Sequence, residues 1–202
     1  PNLQLRYALG FNYKFATIKF GFRPEMSESD LQDKGDSYIF SFRAKLLFQR
    51  WAHNLDYVYL RGFYVDESNN PEFDKEPDNY YAQFPRLKTK IFNGSSLYKF
   101  NPNYSLRATQ SQTEVQTRSA GTVMAGLEYS LYSISGTEKF NNNSGEQIER
   151  ERFSEYAGFY TAITAGYYYT YVYKKYWYAG AFASPGLGMN FYEKDNYENG
   201  HS

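Results

Sequence analysis

The chain has 202 residues, a formal net charge of zero, no cysteine and only two histidines, His53 and His201. These values exclude a basic footprint for nucleic acid, a disulfide framework, a cysteine-ligated metal and a thiol nucleophile. Aromatic residues make up 21% of the chain although its mean hydropathy is -0.72, which suits a barrel with an apolar belt towards lipid and a polar interior. The chain contains no apolar run of about 18 residues that would predict a transmembrane helix.

The first predicted elements are two strands within residues 3–22. Alternate residues from Leu3 to Tyr13 are apolar or aromatic, whereas those between them, including Arg6 and Asn12, are polar or small. The alternation resumes after a tight turn at Lys14, with Lys19 in the polar series. A period of two over about ten residues, repeated once, predicts a β-hairpin long enough to cross a bilayer as tilted strands.

Three further strands are predicted in the middle of the chain by the same alternation. Arg43, Lys45 and Asp56 belong to their polar series. It is ambiguous which face the third of these strands, residues 87–100, turns outward, because Lys88 and Lys90 fall in the same alternating series as aromatic residues. The strands cover residues 38–48, 51–65 and 87–100, with a short turn at 49–50 and a long acidic loop at 66–85.

A sixth strand is predicted from Tyr104, and it becomes polar on both phases between residues 109 and 118. A strand cannot be polar on both faces where it meets lipid. We therefore expect this piece to project beyond the bilayer or to be covered by other protein. It is either a hydrogen-bonded strand extension, which we favour, or a row that binds a polar ligand such as a sugar, or a protein, through Gln110, Gln112, Glu114, Gln116 and Arg118.

Three last strands are predicted at residues 120–134, 157–173 and 176–191, with Glu128 in a polar series. Nine strands is an odd number, whereas single-chain bacterial barrels close with an even one. We therefore expect the barrel to need one or more further terminal strands. The long connection at 135–154 also reverses the alternation of short turns and long loops. This predicts a hidden strand in 138–156, or a loop on the periplasmic side or inside the lumen.

Together these elements predict one domain over residues 1–202, an all-β, antiparallel transmembrane β-barrel of the outer-membrane type with about 8–12 strands. Its polar series forms either a slightly cationic channel or, as we favour, paired charges that fill a narrow barrel. We expect a location in the bacterial outer membrane, contact with its lipid, and no cofactor, metal or nucleic acid. The predicted lumen-facing residues are Arg6, Asn12, Lys19, Arg43, Lys45, Asp56 and Glu128.

Eight aromatic residues are predicted to form a girdle at the level of the lipid headgroups, where amphipathic rings fix the depth of a barrel. The rival interpretation is a platform on which carbohydrate stacks. The residues are Trp51, Tyr57, Tyr59, Tyr167, Tyr169, Tyr171, Trp177 and Tyr178.

Three short segments carry a resemblance to a known family: residues 84–89 (FPRLKT), 111–121 (SQTEVQTRSAG) and 184–188 (SPGLG). In these segments the chain resembles an uncharacterised family of Bacteroidota, known mainly as a domain of unknown function. The resemblance extends from about Leu9 to Gly188. It implies a secreted, membrane-embedded β-barrel, and it implies no reaction and no catalytic residues.

Three functions follow as hypotheses. The first is a non-enzymatic outer-membrane barrel that is a scaffold or subunit of an envelope complex, with other outer-membrane proteins as partners, or a narrow pore. The second is an outer-membrane enzyme acting on lipid or lipopolysaccharide, with His53 as its base, although Asn54 and Asp56 do not share the phase of His53. The third is a soluble lipocalin-like binder, in which the apolar series of the first strand would point inward.

Overall fold

The computed structural model describes residues 7–23, 36–64, 83–138 and 152–197. In these ranges nine strands form one antiparallel sheet with a single short helix, so the expectation of an all-β antiparallel fold is confirmed. The elements are β1 (Tyr7–Tyr13), β2 (Ala16–Phe22), β3 (Tyr38–Leu47), β4 (Trp51–Tyr64), β5 (Gln83–Lys99), α1 (Leu106–Gln110), β6 (Ala120–Glu138), β7 (Arg152–Tyr173), β8 (Trp177–Ala183) and β9 (Gly186–Tyr197).

The strands follow one another as a meander from β1 to β7, and both β8 and β9 then pair with β7. Tyr167 lies opposite Ala183 and Thr164 lies opposite Gly186, so the register continues across Pro185. Proline has no N–H for a ladder, which explains the break between two strands on one line. The nine strands therefore lie on eight lines, because β8 and β9 share one line, so the number of lines is even. In the described ranges no pairing joins β1 to β8 or β9, so this sheet is open.

The short connections all lie at one end of the sheet. Turns at 14–15, 48–50 and 174–176 lie there, together with residues 100–119. The strands β2, β4 and β6 run to the opposite end. The alternation of connections is therefore regular, and its apparent reversal came from counting residues 104–118 as a strand. Of the range 138–156, in which a hidden strand was predicted, residues 139–151 lie outside the described residues.

The predicted sixth strand, within residues 104–118, is wrong. These residues belong to a longer segment, 100–119, which folds onto one face of the sheet at the short-turn end and which we call the plug. The Ser105 hydroxyl accepts a hydrogen bond from the Ala108 N–H at 3.1 Å and caps the N-terminus of α1. Such a cap satisfies a backbone donor that a single helical turn would otherwise leave unpaired. Tyr104, Leu106 and Ala108 alternate in the sequence like the residues of a strand. In the structure they belong to the plug, and all three are buried.

A small core lies beneath the plug. Tyr104 and Leu106 pack with Leu47, Ala52 and Met124, and all five are buried. The remaining buried apolar residues of the described ranges are alanines. Most of the sheet therefore has no apolar core of its own.

The two faces of the sheet differ in chemistry along its whole width. A rung is here the set of residues paired directly opposite one another across the strands. One rung is apolar throughout: Leu9, Phe20, Phe42, Tyr57, Phe92, Leu131, Phe159 and Phe191. The next residue of β1 starts a rung on the other face: Gly10, Lys19, Arg43, Asp56, Asn93, Ser130, Tyr160 and Asn190. We call these the apolar rung and the polar rung, and their sides the apolar face and the polar face.

The apolar face is uncovered in this structure. Leu9 is 65% exposed and Ile163 is 71% exposed, although both are large aliphatic residues. Towards the end of the sheet opposite the short turns, this face becomes charged at Lys90 and Lys88, which pair with Tyr59 and Arg61. The register thus resolves the facing of β5: Phe92 and Tyr98 share the apolar face with both lysines.

Candidate functional site

The polar rung crosses the middle of the sheet, and two of its neighbouring pairs are hydrogen-bonded. Arg43 donates from Nε to Asp56 Oδ2 at 2.7 Å, and the Ser130 hydroxyl donates to Asn93 Oδ1 at 2.7 Å. These partners face each other because their strands pair antiparallel in register. Opposite charges and matched polar groups directly across a sheet stabilise the pairing.

A second polar row lies two residues nearer the plug on the same face. Asn12, Thr17, Lys45, Asn54, Ser95 and Glu128 follow one another across six strands. Asn54 donates from Nδ2 to the Ser95 hydroxyl at 3.0 Å. Between the two rows lies a pocket of about 350 Å³, lined among others by Asp56, Asn93, Glu128 and Tyr160.

The two rows bring together six of the seven residues predicted to face a lumen. Cationic residues cluster on β2 and β3, and the acidic ones lie on β4 and β6. The seventh, Arg6, lies outside the described residues. The six that share the polar face are Asn12, Lys19, Arg43, Lys45, Asp56 and Glu128.

The plug is fastened to the sheet by charged side chains. Arg107 donates from Nε to the Leu47 carbonyl at 3.1 Å and from NH1 to Glu114 Oε1 at 2.8 Å. The other oxygen of Glu114 accepts from the Ser105 hydroxyl at 2.7 Å. Buried Lys99 donates to the carbonyl oxygens of Tyr104 and Pro102, which satisfies a cation that would be costly to bury alone.

The predicted polar row from Gln110 to Arg118 is therefore not a strand edge. Within it, Glu114 and Gln116 hold the plug together. Gln116 accepts from the Ser105 N–H at 2.7 Å and donates to the carbonyls of Asn103 and Arg118, at 3.0 and 2.9 Å. Gln110 and Arg118 are exposed at the plug surface, whereas Gln112 lines a cleft.

That cleft lies between the plug and the turn from β7 to β8, and its volume is about 300 Å³. Gln112, Glu114 and Gln116 line one side. The other side is formed by the end of β7 and the turn, with Thr170, Val172, Lys175, Tyr176, Trp177 and Tyr178. Sequence periodicity could not reveal this site, because it joins a predicted strand and a predicted girdle that lie about 60 residues apart in the sequence.

The predicted girdle residues divide between the two faces. Trp51, Tyr57, Tyr59, Tyr167, Tyr169, Tyr171 and Trp177 lie on the apolar face, whereas the register puts Tyr178 on the polar face. Along β4 two aromatic levels are visible. Trp51 meets Tyr98 with ring centroids 5.1 Å apart, and eight residues further Tyr59 meets Tyr38 at 5.8 Å.

The histidine considered as a catalytic base lies on the apolar face. Its Nδ1 is 2.9 Å from the Ser96 hydroxyl, and its ring stacks on Trp51 with centroids 5.7 Å apart. Its neighbour Asp56 lies on the opposite face, paired with Arg43. The other partners in register, Leu46 of His53 and Leu127 of Ser96, are apolar. Among the described residues, a serine and a histidine are thus together without the acid that would orient the ring.

The described part of the chain contains no group of three or more His, Cys, Asp or Glu residues placed to hold a metal ion. Asp36 accepts a hydrogen bond from Arg61 at 2.6 Å and is therefore paired with a cation. Among the same residues, no helix has the length and apolar character needed to span a membrane.

The fold and the polar site together define a class: an all-β protein with one antiparallel sheet, an exposed apolar face, and a polar face partly covered by a plug. The chain belongs to the family described as "Domain of unknown function (DUF4421)", whose model matches residues 1–202. The family resemblance in the short segments is thereby confirmed at the level of a domain of unknown function. Neither the curated proteins nor the solved structures contain a match to this chain.

Proposed function

We propose that this chain forms the wall of a bacterial outer-membrane β-barrel, with its apolar face towards lipid and its polar face towards the lumen. The observation that carries the proposal is the unbroken apolar rung across all eight lines of the sheet, in which Leu9, Phe20, Leu131, Phe159 and Phe191 are exposed and the other three residues are half-buried. A soluble protein does not leave a contiguous apolar surface of this size in water. In lipid the same surface costs nothing, provided that the backbone groups are paired as in a sheet.

The dimensions of the apolar face support the proposal. The aromatic levels at Trp51 and Tyr59 are separated by eight residues, which is about 27 Å along a strand at about 3.4 Å per residue. At the strand tilt of about 35–45° found in such barrels, this becomes about 19–22 Å of height, close to the usual apolar band of about 25 Å. Beyond Tyr59 the face carries Lys88 and Arg61, as expected where a barrel leaves the bilayer.

We further propose that the barrel is a non-enzymatic scaffold or subunit of an envelope complex rather than an open pore. The plug packs on the polar face and is held there by Arg107, Lys99 and Glu114. Plugged lumens are a known property of outer-membrane barrels that do not conduct freely. Other outer-membrane proteins are then the partners to seek.

Planar-bilayer conductance tests scaffold against pore. The purified protein, reconstituted in detergent and then in a planar bilayer, is expected to give no conductance steps. A matched variant, Arg107→Ala, loses the contact of the plug with the Leu47 carbonyl and is expected to give brief openings. Steady conductance by the unmodified protein would contradict the scaffold and favour the narrow pore. Native co-purification in detergent, followed by identification of the bound proteins, then tests the complex.

A second candidate, an enzyme acting on lipid or lipopolysaccharide, is favoured by the 2.9 Å contact between His53 Nδ1 and the Ser96 hydroxyl. Both residues lie on the face that we propose towards lipid. A serine-reactive fluorophosphonate probe tests it: we expect no labelling, because none of the described acidic residues pairs with the dyad. Labelling that is lost in Ser96→Ala and in His53→Ala would establish the enzyme instead. The third hypothesis, a soluble lipocalin-like binder, needs Leu9 and Phe11 inside the molecule, and it predicts a protein that stays in solution without detergent.

A further inference from the structure

The cleft between the plug and the turn from β7 to β8 joins two features that each point to ligand binding. One is the polar segment around Gln112, and the other is the aromatic cluster at residues 176–178. The cleft holds about 300 Å³, within the lower range of small-molecule sites. Its two walls come from different parts of the chain, so their meeting is a property of the fold.

The polar atoms of the cleft fall into two groups. Glu114 and Gln116 are occupied by hydrogen bonds inside the plug, so they fix one wall. In the part of the chain that the structure describes, the side chains of Gln112 and Lys175 make no hydrogen bond or ion pair. The primary amide of Gln112 and the ammonium of Lys175 are therefore available to bind a ligand.

The backbone presents these two side chains in an uncommon way. Gln112 has φ of 55° and Lys175 has φ of 64°, both in the left-handed region. Residues other than glycine are uncommon there. At Lys175 the hairpin turn accounts for this conformation, because Lys174 and Lys175 are the two central residues of a turn that requires positive φ at both.

The aromatic side of the cleft offers flat apolar surfaces. Tyr176 is 87% exposed, and Tyr178 is 61% exposed on the polar face, whereas the side chain of Trp177 belongs to the apolar face. Aromatic rings stack on the apolar faces of sugar rings, while amides and phenols bond to the hydroxyl groups at the edges. An ammonium adds attraction to an anionic group.

We propose that this cleft binds an acidic saccharide, with Tyr178 stacking on a sugar ring, Gln112 bonding to its hydroxyl groups and Lys175 pairing with its carboxylate. The cleft and the class of ligand that fits it do not depend on whether the protein lies in a membrane. The source of the ligand rests on the proposed function, because the short turns of outer-membrane barrels lie on the periplasmic side. The glycan of the cell wall lies there, and its muramic acid carries a free carboxylate wherever the stem peptide has been removed.

The test is calorimetric titration of the whole purified protein with disaccharide probes. The probes are a muramyl-containing disaccharide from cell-wall glycan, a uronic-acid disaccharide and a neutral N-acetylglucosamine disaccharide, with the free stem peptide alongside. We expect both acidic sugars to bind at least tenfold more tightly than the neutral one. Tighter binding of the muramyl probe than of the uronic acid supports the cell wall as source, and equal binding contradicts that source.

Variants separate the roles of the residues. Lys175→Gln is expected to abolish the preference for acidic sugars, and Tyr178→Ala to weaken all the sugars at least tenfold. The matched control is Lys14→Gln in the turn from β1 to β2, which also has a left-handed lysine beside a tyrosine but no plug against it. Absence of saccharide binding, tighter binding of the stem peptide, or an equal loss in Lys14→Gln would overturn the proposal. Saccharide binding by a protein that stays soluble without detergent would support this site and contradict the proposed membrane barrel.

Discussion

The apolar rung and the polar rung are one residue apart along every line of the sheet, yet they share almost no chemistry. The apolar rung contains five phenylalanines, two leucines and one tyrosine, and the polar rung has two cations, one carboxylate and two amides among its members. Packing within the sheet does not require this division. It is explained if the two faces meet different solvents, because each side chain then meets the medium that it tolerates.

The largest effect is expected where the polar face does carry a core. Leu106 of the plug is buried against Leu47 and Met124. Leu106→Ala should lower the free energy of unfolding by about 2–5 kcal/mol, since it leaves a cavity that the sheet cannot close. Denaturant unfolding in lipid vesicles measures this. Leu131→Ala on the apolar rung is the control, and it should cost less than half as much because lipid fills the space. Equal costs would show that Leu131 also packs against protein.

An arginine introduced on one face or the other should show which face meets lipid, with an effect on the free energy of unfolding almost as large as that of Leu106→Ala. Leu127 lies on the apolar face and its neighbour Glu128 lies on the polar face. Leu127→Arg should cost about 2 kcal/mol of unfolding free energy, since an arginine towards lipid costs about 2–4 kcal/mol at mid-depth. Glu128→Arg should change it by less than half of that. The same unfolding assay in vesicles compares them, and a reversed order would contradict the assignment of the faces.

A smaller effect measures how wet the polar face is. Arg43 is 67% exposed while paired with Asp56 at 2.7 Å. A double-mutant cycle with Arg43→Gln and Asp56→Asn should give a coupling of about 0.2–1 kcal/mol if water surrounds the pair. Coupling of several kcal/mol would instead indicate a dry interior filled by paired side chains. The cycle therefore distinguishes a water-filled lumen from a filled one.

The sequence was most informative where its period of two was undisturbed. The strands through Leu9, Phe42 and Leu131, and which of their residues share a face, followed from alternation alone, because a one-residue slip would exchange the two faces. Strand 5 was ambiguous because Lys88 and Lys90 lie where the apolar face becomes charged. Only the register with β4 and β6 could assign it.

The plug was missed because local and long-range signals conflict there. Tyr104, Leu106 and Ala108 alternate like a strand, but the capping residue Ser105 and the turn at Pro102 favour a helical turn. The contacts that decide it come from Leu47 and Met124, far away in sequence. The cleft depends on the plug, so a correct account of Gln112 and Tyr178 could not precede the fold.

The central claim is best tested with spin labels at two adjacent positions of β6. The chain has no cysteine, so Leu131→Cys and Ser130→Cys each give a single site for a nitroxide. Collision rates with oxygen, which concentrates in lipid, and with a polar nickel chelate, which stays in water, are then measured in vesicles. We predict that the label at 131 meets oxygen and that the label at 130 is shielded from lipid. Equal access to the nickel chelate at both positions would contradict a lipid-facing apolar rung.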